Sequence, residues 1–172
     1  MGKRRDARLL AVQFLYQHEV GAKQDPQEIL PLFWNTTEAK ADLQKLAQPA
    51  IEGVLAHYDE LNGIITRYAQ NWGLDRMAAL DRNILRLALY EMHFCPDIPP
   101  VVSINEAIEI AKQLSTEDSG KFVNGILDRA IQDLTRSARE PAPSPKSTAT
   151  SIHAVGLQKM GGPHSGRDSR LG

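Results

Sequence analysis

IPPVVSINEAIEIAKQLSTEDSGKFVNGIL, residues 98–127, holds two helix starts and two apolar stripes in one short run. Pro99-Pro100 cannot continue a helix and sets an extended approach. Ser103 stands three residues before Glu106, the reciprocal spacing of a capping box, so a helix is predicted to start at Ser103. Ile104, Ala107, Ile108 and Ala111 recur at helical spacing and give it one apolar face. Ser115 and Thr116 follow, then two acids, then a second stripe of Phe122, Ile126, Leu127, Ala130 and Leu134. Negative charge in a first turn suits the helix dipole. The stretch therefore predicts an antiparallel helical hairpin.

Working outward, the same reading fills the chain with helices. Residues 76–94 contain no turn signal and place Met77, Leu80, Ile84, Leu87, Ala88 and Met92 on one stripe, with Asp75 as the expected cap. Asp81, Arg82, Arg86 and Glu91 alternate in sign around that helix and read as a solvated, paired face. A first helix is predicted over residues 4–20, ending at Gly21, with Ala7, Leu10, Ala11, Phe14, Leu15 and His18 inward. Asp25-Pro26 starts the next, which Pro31 should interrupt. Thr36 and Thr37 are expected to cap a longer helix that Pro49 kinks or splits. Another follows over residues 59–70. No strand-like alternation competes, so the fold class is all-α.

Composition bounds the function. A single cysteine, Cys95, excludes an internal disulfide and a cysteine zinc site. No apolar run is long enough to span a membrane, and no leader pattern opens the chain, so a cytoplasmic location is expected. The five histidines show no metal-ligand spacing. No nucleophile elbow, P-loop or dinucleotide fingerprint is present, which gives no catalytic residue, no metal and no cofactor. Glu109 is expected to pair with Lys112 one turn on.

The formal net charge of −1 hides a segregation of sign. Lys3, Arg4, Arg5 and Arg8 crowd the first helix turn, where the dipole disfavours cations. Planar arginine donors in such a strip suit phosphates. From residue 137 onward, prolines alternate with small residues and then Ser, Thr and Gly dominate beside scattered basic residues. That composition predicts a domain over residues 1–136 and a disordered tail over 137–172.

INEAIEIAK, followed by S-x-x-x-S-x-K-FVNGIL, resembles the NusB family of transcription antitermination factors. RRDARLLAVQFLYQ and ILRLALYEM look like the family's other two segments, in the same order. The resemblance spans roughly residues 3–134. It implies a compact bundle of about seven helices arranged as two three-helix sub-bundles. It also implies binding of the boxA element of nascent ribosomal RNA, as a heterodimer with the ribosomal protein NusE, within the transcription elongation complex.

The RNA surface is then expected to combine a basic track with an aromatic face. The track is Lys3, Arg4, Arg5 and Arg8, extended by Gln13 and Tyr16. The second part is the turn that carries Asp118, Ser119, Lys121, Phe122 and Asn124, with Phe122 either stacking on a base or packing in the core. Tyr68, Asp81 and Glu91 are the candidates for the protein partner. Removing Arg5 and Arg8 is expected to leave stability level or slightly raised. The alternative function is a free-standing helical adaptor that acts through protein contacts.

Overall fold

The computed structural model describes residues 2–70 and 72–134, so the predicted tail lies outside the described residues. Seven α-helices form among them: α1 (Lys3–Val20), α2 (Pro26–Thr37), α3 (Ala41–Ala56), α4 (Tyr58–Tyr68), α5 (Ala79–Phe94), α6 (Pro100–Leu114) and α7 (Glu117–Gln132). A 3₁₀ turn (Leu74–Arg76) precedes α5. No strand is present among the described residues.

Helix α5 organises the rest. It packs on α1, α3, α4, α6 and α7, which joins the amino-terminal and carboxy-terminal groups of helices through one continuous core. Its central turns, from Asn83 to Leu89, are buried all round, as a helix enclosed by others must be. Close approach at two glycines tightens the packing. A Cβ on Gly53 would fall inside the Tyr90 ring, and one on Gly120 would press on the Lys112 stem. Those contacts bring α3 onto α5 and α7 onto α6.

The helix stripes lie where periodicity places them, but several starts and stops differ. α6 begins at Pro100 with Pro99 as its N-cap, so Ser103 lies in the second turn and caps nothing. Proline at the first helical position is already preorganised, which makes a later start unnecessary. α2 runs through Pro31 and α3 runs through Pro49. Both prolines are exposed, so water can satisfy the carbonyls they orphan. Thr36 and Thr37 end α2 rather than start α3, and their hydroxyls donate to Leu32 O and Phe33 O at 2.8 Å. Glu38 then closes α2 in the left-handed conformation, φ 51°. Asp75 falls in the 3₁₀ turn, and Ala78 is the N-cap of α5.

The face of α5 that its alternating charges marked as solvated is instead largely buried. Asp81, Arg86 and Glu91 are 7%, 2% and 5% exposed. Arg86 donates to Glu19 Oε2 at 2.7 Å and to Asn62 Oδ1 at 2.8 Å, and lies 4.3 Å over the Tyr58 ring. Arg82 donates to Glu19 Oε1 at 2.8 Å. Arg82 and Arg86 thus pair with Glu19 and Glu91 pairs with Arg8, all across to α1, whereas Asp81 accepts from Ser119 of α7. Sign alternation along one helix cannot reveal partners supplied by another.

Candidate nucleic-acid interface

The first turn of α1 brings four cations together, but each stands differently. Lys3 is exposed and bonds Asp42 at 2.5 Å, which raises the lysine pKa and lowers that of the carboxyl. Arg4 is exposed on the adjoining face. Arg5 grips Glu106 of α6 with two donors, Nε at 2.8 Å and Nη2 at 3.0 Å. That fork holds the Glu106 carboxyl below the usual range. Arg8 turns inward onto Glu91, with Nε 2.7 Å from Oε1 and its side chain 12% exposed. Ser103 Oγ donates to the other Glu91 oxygen at 2.7 Å. The basic start is thus an exposed pair, Lys3 and Arg4, backed by two arginines that tie α1 to α5 and α6.

The second cluster forms where α6 turns into α7. Thr116 is the N-cap of α7, its hydroxyl accepting from the Ser119 N–H at 3.1 Å. Ser119 Oγ lies 2.9 Å from Ser115 Oγ and donates to Asp81 Oδ2 at 3.3 Å. Asp118 and Lys121 are exposed and stand 3.8 Å apart. Asn124 is half-buried on the next turn. Phe122 is half-buried too, with part of its ring packed against the edge of the core and part open to the surface. With Trp72, Met77 and Asp81, residues of this turn enclose an open groove of about 520 Å³.

The two clusters do not meet. From Glu106, beside Arg5, to Ser115 at the turn, α6 rises roughly 14 Å. Gln13 and Tyr16 of α1 are exposed between the ends of that helix's span.

The three partner candidates scatter. Glu91 is buried under Arg8, and Asp81 lies in the groove wall. The Tyr68 hydroxyl donates to Asp133, which raises its pKa, while its carbonyl accepts from Arg129 at 2.7 Å. Sequence reasoning missed Glu106 as the partner of Arg5, because its spacing from Ser103 mimicked a capping box. It also missed Trp72 and Arg76, which line the groove from the far side of a turn. An exposed tryptophan beside a turn was the available signal for the former.

Among the described residues no helix is long and apolar enough to cross a membrane. A model of the NusB family matches residues 5–132. The chain is 44% identical over 140 residues to the transcription antitermination protein NusB of Myxococcus xanthus, covering 79% of this chain and 99% of that protein. Its counterpart in Desulforudis audaxviator is 46% identical over 134 residues, covering 76% and 94%. In three dimensions the fold matches T. maritima NusB with a TM-score of 0.70 at 42% identity, over 77% of this chain and 93% of the other. It also matches a chain in the crystal structure of antitermination factors NusB and NusE in complex with double-stranded RNA. There the TM-score is 0.70 at 26% identity, over 78% and 99%.

Proposed function

The chain belongs to the NusB family, and from that premise we propose that it binds a boxA-type single strand of nascent ribosomal RNA together with NusE. The observation that carries this reading is the exposed cationic pair Lys3 and Arg4 at the positive end of α1, backed by Arg5 and Arg8. A bound phosphate would neutralise that charge and complement the dipole at once.

In this reading Lys3, Arg4 and Arg5 meet phosphates, and Arg8 fixes the helix that presents them. Gln13 and Tyr16 extend the surface along α1. At the far end of α6, Ser119, Lys121 and Asn124 supply polar contacts, and the accessible edge of Phe122 stacks on a base. Asp118, 3.8 Å from Lys121, orients that lysine. NusE, a basic ribosomal protein, meets the acidic helical body near Asp81 and Tyr68.

Fluorescence anisotropy with a boxA strand and a scrambled strand, each with and without NusE, tests the proposal. The expected result is preference for boxA that sharpens when NusE is added. Equal, weak binding of both strands in all four mixtures would contradict it.

A further inference from the structure

Helix α2 is the most thinly attached of the seven helices. It buries three side chains, Leu30, Phe33 and Trp34, and the Phe33 ring meets Phe14 of α1 edge-on with centroids 5.3 Å apart. Among the described residues its side-chain hydrogen bonds all close locally: Thr36 and Thr37 donate back along α2, and Asp25 caps its start. No ion pair reaches α2 among those residues. By contrast, α1, α5 and α6 are cross-tied by Arg5–Glu106, Arg8–Glu91 and Arg86–Glu19.

Open grooves flank the helix on both sides. One of about 560 Å³ runs along α1, with Leu10, Phe14 and His18 facing Ile29, Leu32 and Phe33. A second, of about 370 Å³, runs along α3, with Leu30 and Trp34 facing Ile51 and Leu55. The closed position also works against itself. The Trp34 Nε1–H is buried with no acceptor, a penalty that contact with water removes. Pro31 deletes a hydrogen bond from the middle of the helix. Beyond each end of α2 a residue other than glycine takes the left-handed conformation, Lys23 at φ 49° and Glu38 at φ 51°. Such positions hold mild strain, and hinges are built from a few residues at element ends that absorb a large backbone change.

We propose that α2 is a hinged cover that opens about Lys23 and Glu38 as one unit while the other six helices stay packed. Opening uncovers the apolar faces of α1 and α3 at Phe14, Ile51 and Leu55. A helix of 12 residues with a proline inside it does not hold its own hydrogen bonds in water, so α2 melts as it leaves. Its amides therefore become exchangeable in a single step. That step breaks few contacts, whereas freeing the amides of α5, enclosed by its neighbours, requires the whole core to come apart. The device is independent of RNA and NusE, and neither is needed to test it.

Hydrogen exchange of the full chain, read amide by amide with NMR, tests the cover. The interior amides of α2 should share one protection level, at least about a hundredfold below that of α5. Their exchange should also respond less to mild urea, because a small opening exposes less surface than global unfolding. A Leu30→Ala, Phe33→Ala variant removes two of the three buried anchors. In it the α2 amides should exchange at nearly unprotected rates while α5, α6 and α7 stay protected, and circular dichroism should lose about one helix of signal. The proposal is overturned if α2 in the parent is protected to the level of α5, or if its amides exchange at graded rates that fall from the ends inward. Loss of the whole fold in the double variant overturns it as well, since α2 would then be inseparable from the core.

Discussion

Arg8 and Glu91, 83 residues apart in sequence, form a two-pronged ion pair beneath the first turn of α1, at 2.7 and 3.2 Å. Their side chains are 12% and 6% exposed. Removing the arginine takes away the charged partner of a buried carboxylate that also accepts from Ser103. Arg8→Ala should therefore cost about 3–5 kcal/mol of stability. This reverses the expectation from charge crowding alone that the change would be neutral or helpful. Urea unfolding measures it, and a loss below about 1 kcal/mol would show that the pair does not anchor α1.

If Arg5 meets a phosphate, Glu106 competes with the RNA for it. A carboxylate that takes two of the guanidinium's donors also neutralises its charge. Glu106→Gln should tighten RNA binding at low salt and steepen the salt dependence by up to roughly 0.7 units, one additional phosphate contact. Weaker binding in that variant would mean the carboxylate serves to aim Arg5 rather than to withhold it.

Glu19 and Asp81 should move stability in opposite directions with pH. Burial alone would raise the Glu19 carboxyl, but Arg86, Asn83 and Arg82 outweigh it and hold the pKa below its ordinary 4.5. The folded state thus binds that proton less readily than the unfolded chain. Its stabilisation is present above pH 4.5 and fades as pH falls through the lower folded value. Glu19→Gln should lose stability at neutral pH, and its gap from the parent should close in acid. Asp81, raised by burial, contributes least when ionised. Asp81→Asn should be the more stable form at neutral pH, with an advantage that shrinks as the parent's carboxyl protonates. Urea midpoints across the acid range read both, and two pH-independent gaps would contradict the assignment.

Much of this was legible beforehand, and the failures share a cause. Apolar spacing located the seven helices because core burial selects it directly: Ile104, Ala107 and Ala111 are all buried. What one sequence could not show was the other side of each contact. Pro31 and Pro49 read as breaks because nothing in the sequence said they face water. Asp81, Arg86 and Glu91 read as a solvated face because their fates depend on α1, α6 and α7 folding over them. The basic start was evident as a cluster, but its division into two exposed and two inward-tied cations was not. The expected tail lies outside the described residues.

Phe122 should respond in both assays. Its half-buried ring packs on the core edge, so Phe122→Ala should lose roughly 1–1.5 kcal/mol of stability, about half the value for full burial. If its open face also stacks on a base, RNA affinity should fall by roughly 1–3 kcal/mol. Melting and titration of one variant separate the parts, and unchanged RNA affinity in a destabilised protein removes Phe122 from the RNA surface.

The most direct measurement is the salt dependence of single-stranded RNA affinity for the parent and for a Lys3→Ala, Arg4→Ala variant. Both side chains are exposed, and the Lys3–Asp42 pair lies at the surface where such pairs contribute little, so the fold should be kept and the urea midpoint nearly unchanged. The parent's log affinity should fall with log salt at a slope of about −2 to −3. The double variant should flatten that slope by roughly 1.4 units and weaken boxA and scrambled strands alike, because phosphate contacts position without specifying. An unchanged slope in a folded double variant would contradict the assignment of the α1 start as the RNA-binding track.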